Sequence, residues 1–149
     1  FNIEVFLGIN SAVYIPDLLS HYRKDNESSL THNYKKKLVG QWKEMYRRIK
    51  FLLDRNDMSR EYYDALNNRI CFGLIGLGIN LAEDRKMSFK EKQKEIHNIL
   101  SMNHYQIALK DLDFSYLPIQ WKVFFKLAKN NNALLLLWLL KIMDYLRKK

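Results

Sequence analysis

From Tyr34 to the C-terminus, apolar residues recur at helical spacing and almost nothing interrupts them. The 149 residues include only two prolines, Pro16 and Pro118, and five glycines. Few positions therefore force a turn, and long helices are favoured. Tyr34, Leu38, Met45, Ile49, Leu52 and Leu53 mark a helix over 33–54, with Trp42 and Tyr46 beside the stripe and Thr31 or Asn33 able to cap its start. Asn56-Asp57 is a break, after which Ser59 is placed to cap a second helix over 60–82, carrying Leu66, Ile70, Leu74, Leu77 and Leu81. Gly73, Gly76 and Gly78 fall in its second half. Their spacing, G-x-x-G-x-G with no strand before it, is not a dinucleotide fingerprint. Small residues on an apolar helix let another helix come close, at a cost near ~1 kcal/mol each against Ala. This helix is expected to be the most buried.

Residues 83–86 read as a charged turn, and Ser88 with Glu91 forms a capping box that opens a third helix to Leu100, with Phe89, Ile96, Ile99 and Leu100 inward. A short helix over 103–112 turns Tyr105, Ala108, Leu109 and Leu112 inward. Pro118 is placed to begin a helix to Lys129, and Asn130, Asn131 and Asn132 link it to a last helix over 133–147. Before Tyr34 the pattern differs. The last turns of a helix over 1–7, with Phe1, Val5 and Leu7 inward, end at Gly8 and Asn10. Two extended runs follow, Val13-Tyr14-Ile15 and then Leu18 to Tyr22, separated by Pro16-Asp17. The expected fold is mainly α: a bundle of about five to six helices with a short N-terminal β-hairpin or extended segment. Two domains are expected, an N-terminal piece over 1–32 and a helical domain over 33–149.

The segment 12–33 also carries the one dense set of ligand-type side chains. His21, Tyr22 and Arg23 precede a polar loop, and Ser28, Ser29, Thr31 and His32 follow. A guanidinium offers a rigid fork of donors suited to phosphate, hydroxyls add further donors, and imidazole can hold phosphate or metal. A set of this kind where a strand meets a loop suits an anionic ligand. Taken singly, Arg23 reads as a surface partner of Asp25 or Glu27, Tyr22 as packing on the first long helix, and each histidine as an exposed or capping residue. His97 and His104 share no further ligand at metal-site spacing.

Composition narrows the remaining classes. Apolar residues make up 48% of the chain, which argues against disorder. Cys71 is the single cysteine, so no disulfide within the chain and no Cys-based metal site can form, in keeping with a reducing compartment. No run reaches the ~18 apolar residues of a spanning helix; the longest, 133–140, is interrupted by Lys141. Residues 1–10 have no basic start and include Glu4, so they do not read as a signal peptide. The net charge of +9 suits an anionic membrane surface, a nucleic acid or an anionic substrate, and does not choose among them.

The ordered series Phe1-Asn2-Ile3-Glu4-Val5, Tyr14-Ile15-Pro16, His21-Tyr22-Arg23 and Ser28-Ser29-Leu30-Thr31-His32 resembles the end of the catalytic domain of family 2 glycosyltransferases, over roughly the first fifth of the chain. The resemblance implies the C-terminal part of a longer bacterial enzyme of polysaccharide synthesis, with an A-type nucleotide-sugar fold. Its Asp-x-Asp metal motif and Glu-Asp base would lie upstream of Phe1. It further implies a divalent metal, Mg or Mn, in the full-length enzyme and none in this part, with a nucleotide-sugar donor and a glycan or lipid-linked acceptor. Arg23 with Ser28 or Ser29 would line the donor diphosphate, Tyr22 would support them, and His21 or His32 would stand near the metal or phosphate. No catalytic residue would fall within these residues, and they would be inactive alone. The implied location is the cytoplasm, peripheral to the inner face of the cytoplasmic membrane.

Two readings of the last two helices stay open. Trp121, Phe124, Phe125 and Leu127 alternate with lysines, and residues 133–140 are apolar nearly all round. The helices can fold back as a hairpin over the bundle with the Leu run as core. They can instead lie in a headgroup layer, with Trp121, Phe125 and Trp138 at the boundary and Lys141 and Arg147 on anionic lipid. The helical part would thus cover the site, bind acceptor or dock on a membrane. Two alternatives to the enzyme reading are a basic helical module that binds nucleic acid through the face carrying Lys35 to Lys50, and a bundle that mediates assembly, as a homo-oligomer through residues 134–140. The absence of a recognised reading helix and the interspersed acids favour no nucleic-acid partner.

Overall fold

The computed structural model describes residues 2–16 and 36–147. These form seven helices: α1 (Asn2–Gly8), α2 (Lys36–Arg55), α3 (Arg60–Glu83), α4 (Phe89–Leu100), α5 (Asn103–Asp111), α6 (Ile119–Lys129) and α7 (Ala133–Arg147). The chain is a mainly helical bundle. The extended run at Val13, Tyr14 and Ile15 forms no strand, and the second run, from Leu18 to Tyr22, lies outside the described residues.

Helix α3 is the hub, packed against α2, α4, α5 and α7. Its composition makes that possible. Leu66, Ile70, Leu74, Leu77 and Leu81 form one buried stripe, and Cys71, Gly73 and Gly78 widen it. A Cβ on Gly73 would collide with the Tyr46 hydroxyl and lie 2.9 Å from the Trp42 ring, so α2 seats its aromatic residues there. On Gly78 a Cβ would stand 2.9 Å from Leu140 Cδ1, which marks the approach of α7. Helices α4 and α5 add Ile96, Ile99, Leu100, Tyr105, Ala108 and Leu109 to the same core, α4 lying along α7, and α6 adds Phe124, Phe125 and Ala128.

The connections follow local chemistry. Asp57 and Asn131 take positive φ, 47° and 50°, in the turns before α3 and α7, which the short Asp and Asn side chains tolerate best among non-glycine residues. Ser88 caps α4 as a reciprocal box: its hydroxyl accepts from Glu91 N, and Glu91 Oε2 accepts from Ser88 N at 2.7 Å. Ser59 occupies the corresponding position on α3 with the right backbone, but its hydroxyl makes no capping bond. Asn132 Oδ1 accepts from Leu135 N at 3.2 Å at the start of α7. Pro118 stands just before α6 rather than inside it, and its carbonyl accepts from Trp121 N at 2.9 Å.

Helix α1 stands apart from this core. Ile3, Leu7 and Ile9 border a groove of about 540 Å³ whose other wall is Ile49, Leu53, Met58, Tyr62 and Leu66. Val5 is 43% exposed, and Val13 and Tyr14 are 88% and 87% exposed, so the inward position expected for Val5 is not realised.

Candidate functional site

The donor-site residues expected from sequence, His21, Tyr22, Arg23, Ser28, Ser29 and His32, lie outside the described residues. The site that the described residues do build is a surface, where α7 lies along α4.

Helix α7 divides its apolar residues between two faces. Ala133, Leu136, Leu137 and Leu140 are buried in the core, which is the hairpin reading of the sequence. Leu134, Leu135, Trp138, Ile142, Tyr145 and Leu146 are exposed, between 41% and 64%. An apolar run with a 3.6-residue period cannot bury all sides against one neighbouring layer, so half of it remains outside. Beside that outer face, Phe89 of α4 packs against Trp138 with ring centroids 5.6 Å apart, and Lys141 Nζ sits 4.9 Å from the Phe89 centroid. A cation over a ring face is attracted by the ring quadrupole, so the three side chains hold one another in place. Next to Leu134, Lys90, Lys94 and His97 line an open cleft of about 530 Å³ with Asn130, Asn131 and Asn132.

The other residues expected at a membrane divide differently. Trp121 is half-buried, edge-on to Phe124 at 6.0 Å. Phe125 is fully buried, perpendicular to Phe72 at 5.6 Å and to Phe124 at 5.2 Å and stacked on Phe114 at 6.4 Å. Its ring is a core element and cannot meet lipid while the bundle is folded. The reason is register: Phe124 faces Leu74 and Leu77 of α3, Ile96 of α4 and Leu136 of α7, and Phe125 packs on Phe72 of α3, leaving Val123 and Lys126 outside. Arg147 lies in α7 at the end of the described residues.

Inside the bundle, Tyr46, Cys71, His104 and Tyr105 gather between α2, α3 and α5. The His104 ring lies 4.1 Å from Tyr105 and 6.3 Å from Tyr46. Burial pushes the Cys71 thiol up to about 12, so it stays protonated at neutral pH and is no nucleophile. Burial also raises Tyr46 to about 12 and, first among its causes, lowers His104, with the Lys43 charge adding to the effect. Among the described residues no three of His, Cys, Asp and Glu come together as a metal would need.

The basic face of α2 is partly occupied by its own acids. Glu44 accepts from Arg47 at 2.7 Å and from Arg48 at 2.9 Å, which brings its carboxyl down to about 2, and Lys50 pairs with Asp54 at 2.9 Å. These exposed pairs fit the solvated-face reading of the sequence. No described helix is long and apolar enough to cross a membrane. Comparison with protein families, with characterised proteins and with solved structures returns no match.

The cations Lys90 and Lys94 and the ring of Phe89 escaped the sequence reading as parts of a surface. Their spacing on α4 was plain, but nothing in the chain said that α7 would lie alongside.

Proposed function

We propose that the chain is the C-terminal part of a family 2 glycosyltransferase, in which residues 1–32 complete the donor pocket of a catalytic domain and the helical bundle holds that domain at a membrane. The observation that carries the reading is the ordered residue series Phe1 to Val5, Tyr14-Ile15-Pro16, His21-Tyr22-Arg23 and Ser28 to His32. The division of the molecule supports it. Helices α2 to α7 share one core without α1, while Val13 and Tyr14, residues suited to a sheet, are exposed. Apolar side chains in that state suit a segment whose packing partner belongs to another domain.

In this reading Arg23 donates a fork of N–H bonds to the donor diphosphate, and Ser28 or Ser29 adds a hydroxyl. Their charge and dipoles would stabilise the negative charge that develops on the leaving nucleoside diphosphate, together with a divalent metal held by an upstream Asp-x-Asp motif. A glycan or lipid-linked acceptor would approach from the side of the bundle. The test is sugar turnover by the longer polypeptide carrying Arg23→Ala. A fall of roughly 10²–10³ is expected for loss of one pre-placed electrostatic donor. Unchanged turnover, or a longer polypeptide with no acidic metal motif ahead of Phe1, would overturn the assignment.

A further inference from the structure

We infer that the α4–α7 face is a docking surface for an anionic lipid headgroup layer, with Leu134, Leu135, Trp138 and Ile142 entering the layer and Lys90, Lys94 and Lys141 meeting the phosphates. The inference deepens the membrane role proposed above and is independent of the donor chemistry, so vesicle binding and sugar transfer fail separately.

The apolar half of the surface is an unpartnered helix face. Trp138 is 53% exposed and Leu135 is 50% exposed, on a helix whose opposite side is fixed in the core by Leu136, Leu137 and Leu140. The face is therefore presented rigidly, with no helix to be folded on binding. The charge around it identifies the occupant. Lys90, Lys94 and Lys141 are exposed and are joined to no carboxylate by an ion pair among the described residues. The acids of α4 are engaged elsewhere: Glu91 accepts from Ser88 N at 2.7 Å, and Glu95 lies 4.0 Å from Lys36.

A second copy of this chain fits poorly, because a two-fold contact would set these lysines against their own counterparts on a molecule of net charge +9. A headgroup layer satisfies both halves at once. Trp and Lys are the side chains that hold an apolar face at the boundary, the indole with one polar edge and the ammonium on a flexible stem. The lysine positions follow the geometry, since Lys141 shares the outer face with Trp138 and Lys90 and Lys94 flank Leu134.

The test is co-sedimentation of the 149-residue chain with vesicles of phosphatidylcholine alone and of phosphatidylcholine with phosphatidylserine in equal parts. Binding is expected to the mixed vesicles only, and to weaken as salt screens the lysines. Lys90→Gln and Lys94→Gln should each weaken it roughly fivefold. Trp138→Ser should weaken it about tenfold, and Leu135→Gln should act in the same direction. All four positions are outside the core, and circular dichroism confirms that each variant keeps its helicity. Lys43→Gln with Arg47→Gln, which removes two charges from α2 where each lysine variant removes one from α4, should leave binding within about twofold. Equal loss from the α2 pair would show that net charge rather than this face is responsible, and would overturn the inference. So would failure to bind the mixed vesicles, or a dimer in solution that Trp138→Ser dissociates.

Discussion

Gly73 and Gly76 lie three residues apart on α3 and meet opposite surroundings. Gly73 is the seat of Trp42 and Tyr46, whereas a Cβ on Gly76 would find only the Trp42 ring at 3.6 Å, an ordinary contact. Gly76→Ala should therefore stabilise the protein by up to about 1 kcal/mol, the helix-propensity gain. Gly73→Ala receives the same gain but overpacks the α2–α3 contact, and a net loss of roughly 1–2 kcal/mol is expected. Urea denaturation of the two variants checks the pair, and a common sign would refute the packing account. The serines provide a second contrast. Ser88→Ala removes half of a capping box and should cost about 1 kcal/mol, whereas Ser59→Ala removes no capping bond and should cost at most a few tenths. The same urea series measures it. The sequence made both serines caps. Only at Ser88 did it also supply the reciprocal Glu91 three residues on, and that second half distinguishes a formed box from a candidate.

At the scale of the element, the helices were legible because apolar spacing, breaks and caps agreed. The expected spans 60–82, 89–100 and 133–147 differ from the observed helices by no more than a residue at either end. Extended structure near the N-terminus was less legible. Val13, Tyr14 and Ile15 have the side chains of a strand, but a strand exists only with a neighbour, and among the described residues they have none. The apolar stripe of α4 held a different surprise. Lys92 lies between Phe89 and Ile96 in that stripe and is buried. Its ammonium donates to the Ala82 carbonyl at 2.7 Å, so it closes the C-terminal end of α3 while its stem fills the stripe. Lys92→Met keeps the stem and leaves that carbonyl without its donor. A loss of about 1–3 kcal/mol is expected, read from the urea midpoint. An unchanged midpoint would mean that the stem alone supports the junction.

At the scale of the whole molecule, α3 carries more buried residues than any other helix, though in no greater proportion than α4 or α5, and the sequence did not say which helices surround it. Periodicity tells which side of a helix is apolar, not which partner receives it, and that pairing decides whether Lys90 joins the α7 surface or stands alone. The same pairing places His104 against Tyr105 and Tyr46, where a histidine in the first turn of α5 gave no sign of being enclosed. The enclosure ties global stability to pH. Burial, then the Lys43 charge, disfavours the imidazolium in the folded protein. As pH falls, the unfolded chain therefore takes up the proton first. His104 contributes its full share of stability above the ordinary imidazole pKa of about 6.5 and loses it as pH falls through the lower folded value. The lowered carboxyls of Glu44, Asp54, Glu91 and Asp113 act with the same sign in a separate window, below about pH 4. Urea midpoints near pH 7 and near pH 5 isolate the upper window. The wild-type midpoint should fall from the higher pH to the lower, and His104→Asn, which has no titrating ring, should flatten that fall. If His104→Asn retained the whole drop, the enclosed imidazole would not be its source, and the burial of His104 beside Tyr105 and Tyr46 would not be what ties stability to pH.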